Sequence, residues 1–343
     1  MAGDWDVRAI AAGFLGAALV LAVLLWFVGV DAVIEQLGTA DLRFVFPLLF
    51  VAVLWLLFWA LALRSVLDTL GISLSIRTAF LVYAAATFVN NITPFGQAGG
   101  EPISALLIAR VSDSEYETGL AAIASVDAIN FVPSVGLAFV AVSYYAVTVT
   151  LTDRLVDAAS VLAVLVVLVV VAGTFAWRAR YQIEERLLGV VTHVVDAVDR
   201  YVPRVKPPRP DAIRHRIENF FTTIERVAYD RRSIAVTLSF STIGWLMLVI
   251  CLWLSLLALG VRGDDLFVAA MLAVPLGTVA SVTPLPGGLG GIETVLLMIL
   301  PTVTGVGAAT ISAVILLHRF ATYWFPVFLG GGATTALGAA ERE

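Results

Sequence analysis

Eight stretches of this chain run for about 20 residues or more without a charged side chain: 9–30, 44–63, 128–152, 158–177, 233–261, 266–292, 294–317 and 320–340. A helix needs roughly 20 apolar residues to cross about 30 Å of hydrocarbon. Lipid offers no water to an unpaired backbone, so such runs must close their hydrogen bonds internally. They predict an all-α integral membrane protein. Composition agrees, since 14% of residues are charged against about 25% in soluble domains. The first run is full length and lacks a small-residue cleavage site, so it is expected to stay as a helix.

Twelve of the 21 Lys and Arg residues fall between Arg178 and Arg232. Basic short loops stay in the cytoplasm, which places this segment there. Counting spans outward from it puts both termini of a multi-pass cell-membrane protein in the cytoplasm. One long helix over 117–147, kinked at Pro133, is part of that count. Within 178–232, "EERLLGVVTHVVDAVDRYV" and "DAIRHRIENFFTTIERVAY" show apolar residues at helical spacing around "PRVKPPRP". They predict two amphipathic helices on the membrane face. His193 and His215 lie there without suitably spaced companion ligands, so they read as solvated side chains.

"NNITPFGQAGGEP" (90–102) interrupts this pattern. Its flanking arms, Thr78 to Asn91 and Pro102 to Arg110, span only about 21 and 12 Å as helix, too short to cross. They predict a re-entrant hairpin with the quoted segment at its tip. Irregular backbone at that depth must line protein or a polar cavity. Asn91, Thr93, Pro94, Gly96, Gly99 and Gly100 become candidates to meet a ligand, because glycine permits close backbone approach and a helix N-terminus favours anions.

The order recurs in "SVTPLPGGLGGIETVLL": Thr283, Pro284, Gly287, Gly288, Gly290 and Gly291, then Glu293. With matching flanks, this predicts an inverted repeat whose broken helices meet around a substrate site. The fold expected is a single membrane domain, 1–343, of about six full transmembrane helices plus two re-entrant helical hairpins. The first repeat covers about 43–150 and the second about 233–330.

Ionisable residues at membrane depth are costly and are functional candidates by default. Glu101 and Glu293 each open a helix and could simply cap it. Asp127 and Asn130 share a helix face, fit for substrate, proton or a structural hydrogen bond. Arg319 and Tyr323, four residues apart, also share a face; Arg319 could pair with Glu101, Asp127 or Glu293, receive a phosphate, or partly snorkel. Arg110 sits at an arm's base, as a cytoplasmic anchor or a contact for a lipid phosphate. His318 points to another face.

Cys251, the one cysteine, reads as a packing residue. No Walker A loop, Ser-His-Asp set, zinc spacing or basic nucleic-acid patch occurs. No catalytic residue, metal or cofactor is expected, nor a nucleic-acid partner. A single lysine, Lys206, among the basic residues, with abundant Ala, Val and Asp, points to a high-GC, halophilic source.

"TPFGQAGGEPISALLIAR", "TPLPGGLGGIETVLL" and "HRFATYWFPVFLG" resemble the signature regions of the lysylphosphatidylglycerol synthase transmembrane, flippase-like family of bacteria and archaea. The resemblance covers nearly the whole chain. It implies the part that moves aminoacylated lipid between leaflets, without the soluble aminoacyl-transferase domain, since the chain stops at Glu343. The family pattern carries Glu-Arg where Asp127-Ala128 stands here.

The leading functional expectation is a lipid translocase, not an enzyme. Its substrate would be a phospholipid or a polyprenyl-phosphate-linked sugar, its surroundings the bilayer, and a homo-oligomer is compatible with it. Rival readings are a small-solute or ion-coupled secondary transporter, an integral membrane transferase, and an accessory membrane subunit.

Overall fold

The computed structural model describes residues 7–93, 97–148, 171, 174–175, 178–201 and 210–340. Pro94, Gly96, most of the uncharged run 158–177 and the proline-rich joint at 202–209 lie outside the described residues. Described secondary structure is entirely helical, so the chain is an all-α membrane protein. In chain order the helices are α1 (Val7–Val28), α2 (Val30–Gly38), α3 (Leu42–Thr69), α4 (Ile76–Ile92), α5 (Gln97–Ser112) and α6 (Tyr116–Thr148). Then come α7 (Arg180–Tyr201), α8 (Pro210–Tyr229), α9 (Arg231–Ala258), α10 (Leu266–Val279), α11 (Gly291–Thr304), α12 (Ala308–Arg319) and α13 (Phe325–Ala340). Two 3₁₀ turns, Ala280–Val282 and Pro286–Gly288, join α10 to α11, and a π-helical turn, Phe320–Trp324, joins α12 to α13.

Five described stretches are long and apolar enough to cross a membrane: Leu42–Thr69, Tyr116–Thr148, Arg231–Ala258, Pro286–Thr304 and Ala308–Leu337. A sixth is the pair Ala18–Val28 and Val30–Gly38, bent by 88°. Two sequence expectations change here. The uncharged run 294–317 is not one helix, because Gly305 adopts a left-handed conformation (φ 69) and ends α11. Residues 308–319 instead continue through the π turn into 325–340. After the first Gly/Pro-rich segment the helix begins at Gln97, not Pro102. Gly99, Gly100 and Glu101 are therefore helical residues and do not form the turn.

The antiparallel pair α3 and α9 forms the spine, packed through Leu48, Leu56, Leu252 and Leu256. Asp41 N–H donates to the Ala258 carbonyl at one end, and the Thr69 hydroxyl donates to Ser233 Oγ at the other, 2.6 Å away. Cys251 is buried in this seam. Between helices in lipid, close packing and interhelical hydrogen bonds replace the hydrophobic drive. Trp59 accordingly lies against Gly244 and stacks edge-on with Trp55 and Trp245. Trp245 Nε1 donates to the Asn130 carbonyl, 2.8 Å away, tying α9 to α6. Phe46, Phe50, Phe139 and Val147 point outward, a surface that suits lipid.

Hydrogen bonds sort the helix ends into two sets. The end of α6 meets the start of α10 through Tyr144 and Asp265, and Thr310 of α12 bonds Gln36 of α2. At the opposite end, Arg64 Nε donates to the Leu74 carbonyl, and Glu115 and Glu117 at the start of α6 receive Asn219 and Arg216 of α8. Both ends of the α4–α5 pair thus lie with this second set, and both ends of the α10–α11 pair with the first. The two amphipathic helices form as their spacing predicts: α8 packs on α6, and α7 is tied to α8 by Arg180 Nε and Glu225 Oε1, 2.6 Å apart. That hydrogen bond holds the Glu225 carboxyl below its ordinary range.

Candidate functional site

The two Gly/Pro-rich segments, 190 residues apart in sequence, meet in space. The π turn directs Tyr323 between them, fully buried, where its hydroxyl donates to the Asn91 carbonyl at 3.0 Å. Gly287 lies against that ring from the other side, with Asn91 Oδ1 also beside it. A side chain at 287 would occupy the space of the Tyr323 ring. Asn91 lies in the last turn of α4 and Thr93 caps that helix, the threonine hydroxyl donating back to the Val89 carbonyl at 2.6 Å.

Arg319 is 7% exposed and Glu293 3%. Arg319 Nε donates to Glu293 Oε1 at 2.7 Å, its NH2 group donates to the Gly287 carbonyl at 3.0 Å, and its guanidinium stacks 4.9 Å from the Tyr323 ring centre. Glu293 Oε2 accepts the Gly290 N–H at 2.6 Å, closing the first turn of α11. Of the three acids open to Arg319, Glu293 is the partner. Nor does the arginine snorkel: α12 begins only at Ala308, so Arg319 lies about 17 Å along it, where an internal carboxylate and carbonyl outcompete any reach to the surface. Both charges are matched, and their geometry fixes the second Gly-rich turn to the last span. Thr283 contacts Gly291, Gly288 lies on Ser281, and Pro284 is exposed.

Glu101 and Asp127 come together elsewhere. They are neighbours where α5 packs on α6. Asp127 lines a cavity of about 30 Å³ with Leu63, Tyr83, Thr87, Asn90 and Ser104 among its walls. Gly100 permits it: a Cβ there would fall within 2.7 Å of Asn90 Cα, so α5 can lie directly on α4. Asn130 is buried one turn beyond Asp127, its Oδ1 without a partner. Arg110 lies exposed at the other end of α5, away from both clusters. His318 is buried, its Nδ1 unpartnered.

Tyr83, Thr87, Asn90 and Ser104 were absent from the sequence-derived candidates. Tyr83, Thr87 and Asn90 form a polar stripe at i, i+4, i+7 along α4, a signal that helical periodicity carries. Ser104 sits one turn after Glu101 on the same face.

A bundle of apolar spans enclosing matched charges, with two broken-helix segments meeting inside, defines a polytopic membrane protein with a polar interior. The chain belongs to the family described as the lysylphosphatidylglycerol synthase TM region, whose model matches residues 10–330. It is similar to a UPF0104 membrane protein of Pyrococcus horikoshii, 26% identical over 92% of this chain and 93% of that protein. Two UPF0104 membrane proteins of Methanothermobacter thermautotrophicus are 26% and 22% identical, each over 94% of this chain and over 92% and 94% of their own lengths.

Proposed function

We propose that this protein moves a polar-headed lipid between leaflets, the head group passing the polar interior while the chains stay in lipid. The observation that carries this reading is the meeting of the two Gly/Pro-rich segments at Tyr323. Two broken helices that join inside a bundle are the architecture by which transporters build a substrate site. Family membership supports it, as does the placement of the two helical pairs' ends at opposite ends of the bundle. Arg319 and Glu293 serve as the clasp that fixes the second segment to the last span, from which Tyr323 reaches the first, and the cavity beside Asp127 offers the polar lining.

Reconstitution into liposomes with fluorescent lipids of several head groups tests the activity. Wild-type protein is expected to transfer at least one lipid faster than protein-free vesicles, and Asn90→Leu to slow that transfer about tenfold or more by filling the cavity with an apolar branch. Equal rates with and without protein for every lipid would end the proposal. Full competition by soluble head-group analogues would shift the reading to small-solute transport.

The opposed hairpins have their own test. In a Cys251→Ser background, Arg77→Cys is expected to label with an impermeant maleimide only from the cytoplasmic side, and Gly307→Cys only from outside. Both positions are exposed. Labelling of the two from one side would exclude the inverted arrangement.

A further inference from the structure

The cavity beside Asp127 has walls that call for an occupant. α4 supplies Tyr83, Thr87 and Asn90, α5 supplies Ser104 and α6 supplies Asp127, around a volume of about 30 Å³. Close helix packing places these groups together. A Cβ at Gly100 would strike Asn90, so α5 lies on the last turn of α4, and Ser104 follows Gly100 by one turn on the same face. A Cβ at Gly119 would strike the Ala105 carbonyl, which seats α6 equally close on α5. Ser104 is 1% exposed, and neither its hydroxyl nor Asn90 Oδ1 has a partner. Buried polar atoms are normally satisfied. The Ser104 hydroxyl reaches none of the other oxygens, so they stand around a gap.

The acceptors facing that gap are the Asp127 carboxylate, the Asn90 amide oxygen, the Ser104 hydroxyl and the Thr87 hydroxyl, whose proton is spent on the Tyr83 carbonyl at 2.9 Å. Water would satisfy these atoms but not the charge, and a carboxylate at membrane depth requires a partner. Asp127 makes no ion pair among the described residues. The basic side chains of the surrounding helices are spent or distant. On α3, Arg64 is held by the Leu74 carbonyl and Asp68, and Arg43 is exposed at the far end. Arg77 is exposed at the start of α4, about 20 Å along the helix from Asn90. Arg110 is exposed on α5, on a different face from Ser104. On α8, Arg214, His215, Arg216 and Arg226 are exposed beside Asp211, Glu218 and Glu225, and Arg216 pairs with Glu117 at the start of α6. Arg231 and Arg232 are exposed in the first turn of α9, and α10 and α13 contain no charged residue. Glu101, the neighbour of Asp127, adds a second acid.

We propose that Asp127, Asn90, Ser104 and Thr87 bind a sodium ion. Hard cations take oxygen ligands, and no group of three His, Cys, Asp or Glu side chains occurs among the described residues to favour a transition metal. One carboxylate in the wall matches one positive charge. A water needs roughly 10–15 Å³ of such volume, so the cavity admits a small alkali ion with a water to complete its shell. α4 ends at Ile92, and the negative end of its dipole favours a cation beside Asn90. Broken helices in transporters hold coupling ions at such ends. The ion joins α4, α5 and α6, and α4 carries the Asn91 carbonyl that receives Tyr323. Occupancy therefore steadies the junction of the two Gly/Pro-rich segments and couples sodium to the translocation proposed above. The coupling rests on that reading; the ion site does not.

Binding of radioactive sodium to the detergent-solubilised full-length protein tests the site without reference to activity. Wild type is expected to bind one ion per chain, displaced by NaCl and not by equal KCl or choline chloride. Its unfolding temperature should rise as NaCl replaces choline chloride, because an ion that binds only the folded state stabilises it. Asp127→Asn keeps the shape, loses the charge, and should weaken binding about a hundredfold or more. Ser104→Ala should weaken it about tenfold by removing one contact to a charge. Should Asp127→Asn fail to fold, Ser104→Ala and the wild-type measurements decide. Wild type without specific sodium binding or sodium-dependent stability overturns the proposal and leaves a cavity of water. Undiminished binding in either variant also overturns it, and equal displacement by KCl overturns the choice of sodium. In liposomes, lipid transfer by wild type should respond to a sodium gradient and that of Asp127→Asn should not. Transfer indifferent to sodium removes the coupling. If no lipid moves with or without sodium, the translocase reading fails while ion binding still decides the site.

Discussion

Glu293→Ala is expected to destabilise the protein by about 3–5 kcal/mol, the cost of leaving a buried charge without its partner. The variant strands Arg319, 7% exposed, with only the Gly287 carbonyl to receive it. It also removes the acceptor of the Gly290 N–H at the start of α11. Glu293→Gln retains an amide oxygen for that N–H and loses only the charge, so it should lie between the alanine variant and wild type. Removing both charges should restore much of the loss. In Glu293→Gln/Arg319→Met an apolar chain of similar length fills the arginine's volume, and the remaining penalty is chiefly the unpaired Gly287 carbonyl, about 1–3 kcal/mol. The measurement is a double-mutant cycle of thermal or denaturant unfolding in one detergent. A double variant as unstable as the sum of the singles would mean that the two side chains act independently, contrary to the 2.7 Å contact.

That clasp shows how far the sequence could be read. Intramembrane Glu293 and Arg319 stood out because ionisable residues are rare in lipid, and four-residue spacing brought Arg319 and Tyr323 to one face. Three acids stood open as the arginine's partner, however, because the choice depends on where α12 begins. Gly305 decides that by ending α11, and a glycine in an apolar run does not announce whether it breaks a helix. The first segment was misread for a related reason. Gly99 and Gly100 looked like turn formers, yet both are helical, and the missing Cβ of Gly100 serves the close approach of α5 to Asn90. Propensity disfavours glycine in a helix by about 1 kcal/mol; packing against α4 overrides it. Tyr83, Thr87 and Asn90 were legible as a stripe, but only contact with Ser104 and Asp127 gives the stripe a purpose. The long spans α3, α6 and α9 followed directly from length and hydropathy, since the membrane's thickness leaves an uncharged helical run little choice.

Gly287 carries the sharpest steric demand at the meeting of the two segments, and Gly305 supplies a control for it. Both have positive φ, 54 and 69. An alanine at either position should cost about 1–2 kcal/mol in backbone strain. At Gly305 a Cβ meets nothing within 4 Å, so strain is the whole cost of Gly305→Ala. At Gly287 the Cβ would overlap the Tyr323 ring and approach Asn91 Oδ1 to 2.9 Å. Tyr323 cannot move aside cheaply, because it is fully buried and its hydroxyl is bonded to the Asn91 carbonyl. Overpacking of this kind adds about 1–3 kcal/mol. Gly287→Ala should therefore lose roughly twice what Gly305→Ala loses in the same unfolding assay, and it alone should lose lipid transfer, since it wedges apart the two segments proposed to form the substrate path. Tyr323→Phe in the Gly287→Ala background should recover part of the stability by freeing the ring to shift. Equal losses for the two glycine variants would mean that Tyr323 yields without cost, and the junction would then be too loose to hold a head group in register.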